Sequence, residues 1–278
     1  MTGASPSRPP GPLRVAAIQH DVAFEDRAAT LAYLEPLVAA AAGAGARLVV
    51  LTEMFSTGFS MAPEKVAEPE GGPSTEFLRT SAADIGIWLA GSVPIHPHGG
   101  GRPVNRFLLA GPGGELEHYD KIHPFSYSGE HEHYGAGTRR ATFEVEGVRV
   151  TPFVCYDLRF ADEFWAMAAG TDCYVVVANW PAARRAHWQA LLVARAIENQ
   201  AYVVGVNRVG EGGGLTYAGD SRIIDPLGEV LAGGADGETI LLGDVDPAVV
   251  AATRARYPFL ADRRPSPGPA GQERSPGS

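Results

Sequence analysis

This 278-residue chain has no long apolar segment and very few cysteines. No apolar run approaches the roughly 18–20 residues that a membrane helix needs. Only two cysteines occur, Cys155 and Cys173, which is too few for a disulfide framework and fits a reducing compartment. The first twelve residues contain four prolines and no apolar core of the kind that secretory signals carry. These absences predict a soluble protein of the cytoplasm.

Positive charge is also scarce. The chain has 23 Lys and Arg against 32 Asp and Glu, a formal net charge of −9, and no cluster of basic residues. Duplex nucleic acid and anionic membranes attract proteins through such clusters, so both are disfavoured as partners. With 45% hydrophobic and 20% charged residues, the composition is that of an ordinary globular protein.

Compositional bias is confined to the two ends of the chain. Ten of the fourteen residues in 265–278 are Pro, Gly or Ser, a composition that cannot bury enough apolar surface to offset the entropy of ordering. We therefore predict a flexible Pro-rich tail over 1–12, one domain over 13–262 and a flexible Pro/Gly/Ser-rich tail over 263–278.

Short apolar runs alternate with helical patterns throughout that domain. The predicted helices are 27–44, 74–85, 160–169 and 184–199. The predicted strands are 14–19, 47–51, 87–92, 105–110, 116–120, 142–146, 148–154, 173–178, 201–207, a pair around the turn at 225–228, and 239–244. This alternation predicts an α/β domain with covered sheets. The order alone leaves open a doubly wound sheet or a two-sheet sandwich.

Three chemically capable residues each follow a predicted apolar strand. Glu53, Lys121 and Cys155 occupy the carboxyl ends of three such strands, the edge at which α/β proteins gather side chains from distant sequence. Cys155 is followed by Tyr-Asp-Leu-Arg and a helix, a strand-to-helix elbow that exposes a side chain. Cys173 lies inside a strand and is interpreted as a packing residue. Any one of the three, taken alone, has an ordinary structural explanation.

Several segments together resemble the nitrilase superfamily of carbon-nitrogen hydrolases, and more narrowly its ω-amidase branch. They are LTEMFSTGFS, YDKIHPF, GEHEHY, FVCYDLRF, ANWP and ARAIENQAYVVGVNRVG, in that order along the chain. One departure is Ala161, where relatives usually have proline after the phenylalanine. The resemblance implies a four-layer αββα sandwich, a homodimer or higher homo-oligomer, and a Glu-Lys-Cys triad with a second Glu nearby. It implies no cofactor and no metal.

The chemistry of amide hydrolysis agrees with that triad. It needs a nucleophile, a proton carrier and positive charge where the carbonyl oxygen becomes negative. We expect Cys155 to be the nucleophile, with a thiol pKa lowered by the Lys121 cation and by nearby backbone N–H groups. Lys121 and the backbone N–H of Tyr156 would stabilise the oxyanion, and Glu53 would be the general base.

The second Glu and the substrate pocket are assigned from position. Glu130, nine residues after Lys121, is the candidate, and Glu132 is its rival. Trp180 of the ANWP segment, Phe59 and Phe125 are predicted to contact substrate, and Met54 and Phe55 are further candidates for an apolar wall. A substrate carboxylate needs a cation, for which the choices are Arg159, Arg184 and Arg185. Arg184 is preferred, and structural ion pairs are the alternative for all three.

The predicted function is a cysteine-dependent amidase that hydrolyses the ω-amide of a small dicarboxylic acid, such as 2-oxoglutaramate or 2-oxosuccinamate, through a thioester. Nitriles, N-carbamoyl compounds and deaminated glutathione are alternative substrates for the same chemistry. Two other classes stay open: a zinc hydrolase using His123, His131 and His133, and a catalytically silent binding protein that keeps the fold. The helices after Cys155 and after ANWP, including 165–169, are predicted to form the dimer face.

Overall fold

The computed structural model describes residues 11–264, which include the whole predicted domain, 13–262. Most of the two predicted tails, 1–10 and 265–278, lies outside the described residues. The strands are β1 Leu13–Gln19, β2 Leu48–Val50, β3 Glu68–Pro69, β4 Trp88–His96, β5 Val104–Ala110, β6 Leu116–Asp120, β7 Phe143–Val145, β8 Val148–Val154, β9 Cys173–Ala178, β10 Tyr202–Asn207, β11 Val209–Gly212, β12 Leu215–Ile224, β13 Val230–Ala235 and β14 Thr239–Val245. The α-helices are α1 Arg27–Gly43, α2 Pro63–Val66, α3 Pro73–Ile85, α4 Glu130–His133, α5 Ala161–Met167, α6 Arg185–Asn199 and α7 Pro247–Arg256.

These strands form two separate seven-stranded sheets. The first has the order β14-β1-β2-β4-β5-β6, with β3 paired to β4, and the second has the order β11-β12-β10-β9-β8-β7, with β13 paired to β12. Parallel strands lie at the centre of both: β1, β2 and β4 in the first sheet, and β8, β9 and β10 in the second. Antiparallel strands flank them. The fold is therefore a two-sheet sandwich and not a single doubly wound sheet.

Alternation along β1 shows how the layers pack. Successive side chains of a strand point to opposite faces of its sheet. Val15 and Ala17 face the second sheet and join the core that lies between the two sheets. Ala16 and Ile18 face outward and join a second core that includes Leu34 of α1 and Leu78, Ala82 of α3. Both faces of the strand are buried, which is why its sequence reads as a continuous apolar run.

Helices α5 and α6 cover the outer face of the second sheet. Trp188 and Leu192 of α6 are fully buried against it. Gly205 of β10 allows this close approach, because a Cβ atom there would come within 2.5 Å of the Leu192 side chain. With α1 and α3 on the first sheet, the predicted αββα sandwich is confirmed.

Most predicted elements are present, and their ends differ from the prediction by at most four residues. The short elements α2, β3, α4 and β11 and the helix α7 have no counterpart among the predicted elements. α7 begins at Pro247 and its N-terminal Ala248 N–H donates to the Asp246 side chain at 2.8 Å. No helix within residues 11–264 is long and apolar enough to cross a bilayer.

Candidate active site

Glu53 lies just beyond the end of β2 with its side chain fully buried. The backbone turns sharply after it, since Met54 has a positive φ of 41° and its N–H donates to Ser92 Oγ at 2.8 Å. One carboxylate oxygen, Oε1, accepts from Asn105 Nδ2 at 2.8 Å and from Lys121 Nζ at 2.9 Å. Oε2 accepts the backbone N–H of Asn179 at 2.8 Å. The carboxylate is thus fixed in orientation by three donors.

Lys121 follows β6 directly and is only 1% exposed. Its backbone N–H donates to the Asn105 carbonyl at 2.9 Å, which extends the β5–β6 pairing by one residue. Nζ donates to Glu53 and to both oxygens of Glu130, at 3.0 and 2.8 Å. Burial pulls the pKa of Lys121 down, but Glu130 and Glu53 outweigh it and raise the pKa above its ordinary value. The side chain is therefore a permanent ammonium.

Glu130, the first residue of α4, is buried, whereas the Glu132 side chain is 70% exposed. Glu130 Oε2 also accepts the Phe125 N–H at 2.5 Å, and Oε1 accepts from Asn105 Nδ2 at 3.3 Å. Burial raises the pKa of Glu130, and the charge of Glu53 adds to this while Lys121 opposes it. Two carboxylates therefore share one ammonium, and of the two candidates the structure brings Glu130 to Lys121.

Cys155 stands at the end of β8 in a strained backbone conformation, with a φ of 47°. A non-glycine residue held there costs about 1–3 kcal/mol, so neighbouring contacts must hold it. The buried carboxylate of Asp157 does this. It accepts the Val154 N–H at 3.0 Å, the Tyr119 hydroxyl at 2.8 Å and the His123 N–H at 2.9 Å. The expected elbow is present.

The Cys155 side chain is half-buried and lines a cleft. Burial raises the pKa of its thiol well above the ordinary value, the negative charge of Glu53 adds to the rise, and Lys121 only partly offsets it. The expectation of a lowered thiol pKa is therefore wrong for the free enzyme. The reasons are that burial disfavours the thiolate and that the negative charges of Glu53 and Glu130 offset the positive charge of Lys121.

The cleft beside Cys155 contains about 400 Å³ of empty space, including open solvent at its mouth. Its walls include the four residues that the sequence predicted as substrate contacts: Phe59, Phe125, Trp180 and Arg184. The Phe59 ring lies 5.4 Å from Lys121 Nζ. Trp180 is held by Asn207, which accepts the Trp180 N–H at 2.7 Å and donates to its carbonyl at 3.0 Å. The cleft is therefore lined mostly by apolar surface, and the Cys155 side chain forms part of that lining.

Sequence comparison agrees with this geometry. Residues 14–255 match the family model of the carbon-nitrogen hydrolases. This chain belongs to the carbon-nitrogen hydrolase family. The protein is therefore a carbon-nitrogen hydrolase that acts on amides, in agreement with the names of the relatives described below. The resemblance to the nitrilase superfamily is confirmed.

Three similar proteins indicate the branch of the family to which this chain is most alike. The chain is 40% identical over 255 residues to the omega-amidase YafV of Escherichia coli K12, which covers 90% of this chain and 96% of that protein. It is 34% identical over 225 residues to the 2-oxoglutaramate amidase of Bacillus subtilis, a match that covers 79% of this chain and 85% of that protein. A CN-hydrolase superfamily protein from Xanthomonas campestris, solved with an arsenic adduct in its active site, superposes with a TM-score of 0.87 at 39% identity, covering 92% and 98%. The ω-amidase branch is supported.

Of the three arginines considered for a substrate carboxylate, two line the cleft of this carbon-nitrogen hydrolase. They are Arg159 and Arg184. Arg185 instead pairs with Asp220 at 2.8 Å and Asp236 at 3.1 Å, so the structural alternative holds for this residue.

Contrary to expectation, Met54 and Phe55 do not form part of the cleft wall. Both are fully buried, and Phe55 packs in the core between the first sheet and its helices, 6.2 Å from the Phe77 ring. Cys173 is buried in β9 within the main core, as predicted.

Two site residues were missed: Asn105 and Asn179. Asn105 joins Glu53 to Glu130, and Asn179 Nδ2 donates to the Glu53 carbonyl at 2.7 Å. Asn179 sits in the ANWP segment directly after an apolar strand, the same signal that singled out Glu53. Asn105 carried no such signal, because it lies inside a strand.

The histidines of the zinc alternative are dispersed. His131 and His133 are exposed, whereas His123 stacks on Phe160 with ring centroids 3.7 Å apart. Its Nδ1 lies 3.0 Å from Asp157. Within the described part of the chain, no three His, Cys, Asp or Glu side chains are grouped so as to bind a metal ion.

Proposed function

We propose that this enzyme hydrolyses the ω-amide of a small dicarboxylic acid, of the 2-oxoglutaramate or 2-oxosuccinamate type, to the carboxylate and ammonia. The observation that carries the proposal is that Cys155 lines the cleft while two residues far from it in sequence, Glu53 and Lys121, are hydrogen-bonded to each other at 2.9 Å and act electrostatically on its thiol. A similar activity is named in the relatives from E. coli and B. subtilis.

In the proposed reaction Cys155 Sγ attacks the amide carbon while Glu53 takes the thiol proton. The raised thiol pKa makes this transfer necessary, because little thiolate exists before substrate binds. The carbonyl oxygen becomes an oxyanion, stabilised by Lys121 Nζ and the backbone N–H of Tyr156. Glu53 then returns the proton to the departing nitrogen, ammonia leaves, and a thioester to Cys155 remains.

Water completes the cycle. Glu53 removes a proton from water as the water oxygen attacks the thioester carbon. The carbon–sulfur bond then breaks, the carboxylic acid product leaves, and Glu53 returns the proton to the Cys155 sulfur. Glu130 keeps Lys121 in place through two short hydrogen bonds and so acts as a positioning residue. Phe59, Phe125 and Trp180 form the walls that hold the substrate, and Arg184 meets its carboxylate.

The test is an ammonia-release assay with 2-oxoglutaramate, 2-oxosuccinamate, glutamine, propionitrile and an N-carbamoyl amino acid. We expect turnover of the two oxo-amides by wild type and by Cys173→Ser, and none by Cys155→Ser. Turnover confined to the nitrile or to the carbamoyl compound would replace the substrate assignment. Turnover by Cys155→Ser would refute the mechanism.

We also propose that the enzyme works in the cytoplasm as a homodimer or higher homo-oligomer. Both cysteines are free, which fits a reducing compartment. Trp165 of α5 and Ile197 of α6 expose 42% and 46% of their surface on the predicted dimer face. Sedimentation of wild type and of Ile197→Glu tests this: the wild type should be dimeric or larger, and the variant should shift towards monomer.

A further inference from the structure

Helix α6 contains a buried arginine that the proposed mechanism does not use. Arg195 is only 4% exposed, although a guanidinium loses most of its hydration when it is buried. Its Nη2 donates to the backbone carbonyl of Leu158 at 2.7 Å, and its Nη1 donates to Glu198 Oε1 at 2.9 Å. One guanidinium thus joins its own helix to a carbonyl 37 residues earlier in the chain.

Leu158 belongs to the elbow that carries the nucleophile. The elbow is a single 3-10 turn, Cys155–Arg159, that directly follows β8. Its first residue, Cys155, has a positive φ, and a strained backbone of this kind persists only where surrounding contacts hold it. The Asp157 carboxylate holds the entry to the turn, and Arg195 holds its last part. The turn is therefore fixed at both ends.

The same guanidinium packs against the elements on either side of the elbow. It lies 5.2 Å from the ring centroid of Phe164 in α5, and that ring lies 4.1 Å from the ring of Phe153 in β8. Helix α6 meets the elbow a second time where Arg159 Nη2 donates to His187 Nδ1 at 3.3 Å. The bond to the Leu158 carbonyl therefore lies inside a packed junction between β8, the elbow, α5 and α6.

We propose that Arg195 is a positioning residue for the nucleophile elbow. It acts through the Leu158 carbonyl and holds the turn in the conformation that presents Cys155 Sγ and the Tyr156 N–H to the substrate amide. This rests on the proposed amidase function, because the two groups it positions are the nucleophile and one oxyanion donor of that reaction. Misplacing such groups slows the chemical step without weakening substrate binding, so kcat should change and KM should not.

Arg195→Met tests this role, because it keeps an unbranched apolar side chain and removes both hydrogen bonds. In ammonia release from 2-oxoglutaramate, kcat should fall by about 10–100-fold with little change in KM, the factor that corresponds to one charged hydrogen bond. The pH profile of kcat/KM should fall in height without moving along the pH axis. The reason is that the charges that shift the pKa of the Cys155 thiol belong to Glu53, Lys121 and Glu130.

Amide hydrogen exchange gives a readout that does not depend on turnover. Exchange measured by mass spectrometry should quicken in Arg195→Met peptides that span 154–160, because the turn has lost one of its two anchors. If Arg195→Met does not fold, Arg195→Lys replaces it. That variant keeps a cation beside Glu198, but its side chain is one atom shorter and lacks the second nitrogen that reaches Leu158. It should therefore lose a similar factor in kcat with a smaller loss of stability.

Two controls separate positioning from ordinary stabilisation. Glu198→Gln removes the ion pair and leaves the bond between Arg195 and the Leu158 carbonyl. Leu34→Ala removes fully buried apolar contacts of α1, in the core on the far side of the first sheet. Both variants should keep the wild-type kcat and the wild-type exchange of 154–160 at temperatures below their melting transitions, even where those transitions are lowered.

The possible results divide cleanly. A wild-type kcat per folded molecule in Arg195→Met, or exchange at 154–160 no faster than in Leu34→Ala, would overturn the positioning role and leave the amidase intact. A displaced pH profile would also overturn it, since the guanidinium would then act on the thiol through its charge. No ammonia from any of the tested amides in wild type would remove the proposed function, and the exchange comparison would then decide whether Arg195 holds the elbow.

Discussion

The Lys121 ammonium compensates two buried carboxylates and, in the proposed mechanism, stabilises the oxyanion. Replacing Lys121 by methionine tests both roles. The change keeps an unbranched side chain that is one atom shorter and removes three hydrogen bonds of 2.8–3.0 Å to Glu53 and Glu130. Both carboxylates are fully buried, so they would be left without a compensating cation. Breaking a buried ion pair from one side typically costs about 3–5 kcal/mol in the free energy of unfolding.

For a chain of this size that loss corresponds to a melting temperature lower by about 6–20 °C. Turnover should fall by about 10²–10³ from loss of one oxyanion donor alone. The stability loss should also depend on pH. Burial raises the pKa of Glu130, and loss of the opposing Lys121 charge should raise this pKa further. The loss should therefore be smallest at acid pH and grow as the pH rises through that raised pKa.

The double variant Lys121→Met/Glu130→Gln completes the test. Removing one of the two carboxylates should recover at least about 1 kcal/mol of stability relative to Lys121→Met, because like charges no longer face each other. Ammonia release should not recover. Thermal melts followed by circular dichroism and a coupled ammonia assay measure the two quantities on the same samples. A Lys121→Met protein that melts like wild type, or a double variant that regains turnover, would refute the reasoning.

Three further changes test other parts of the site. Glu53→Gln removes a negative charge that raises the pKa of the Cys155 thiol, so the thiol should ionise at lower pH than in wild type while turnover is lost. The thiol pKa is measured from thiolate absorbance at 240 nm, after subtracting the absorbance of the matching protein that carries Cys155→Ser. An unchanged or higher thiol pKa would contradict the prediction. Cys155→Gly should be more stable to urea than Cys155→Ala by about 1 kcal/mol, because glycine adopts the positive φ without strain, and equal stability would argue against stored strain. Asn105→Ala should lower kcat by about 10–100-fold with little change in KM, because it removes a charged hydrogen bond that orients Glu53. A change confined to KM would show that the Asn105 side chain serves substrate binding instead.

Local patterns in the sequence predicted most helices and strands. They also predicted that the site lies at the carboxyl ends of strands. Apolar runs such as 173–178 are strands because both of their faces are buried, and the polar residue after such a run must emerge at the edge of the sheet. That argument placed Glu53, Lys121 and Cys155. It could not choose between one doubly wound sheet and two packed sheets, because the choice depends on which strands pair across long stretches of chain. The resemblance of the segments to a known family made that choice.

Electrostatics was the part that local sequence described least well. A lysine near a cysteine predicts a lowered thiol pKa only if no other charge is close. Here the thiol is buried and Glu53 and Glu130 both contact Lys121, so the thiol pKa rises instead. The same limit applies to the arginines, since only the coordinates show that Arg185 is paired and its neighbour Arg184 lines the cleft.

The covalent intermediate is the most direct test of the account. Wild-type enzyme is mixed with 2-oxoglutaramate, quenched in acid during turnover, digested, and its peptides are weighed by mass spectrometry. The account predicts an added mass equal to the substrate less ammonia on the peptide that contains Cys155, converted to a hydroxamate by neutral hydroxylamine and absent from Cys155→Ser. An acyl group on the Cys173 peptide, or ammonia release by Cys155→Ser with no acyl group on any peptide, would contradict it.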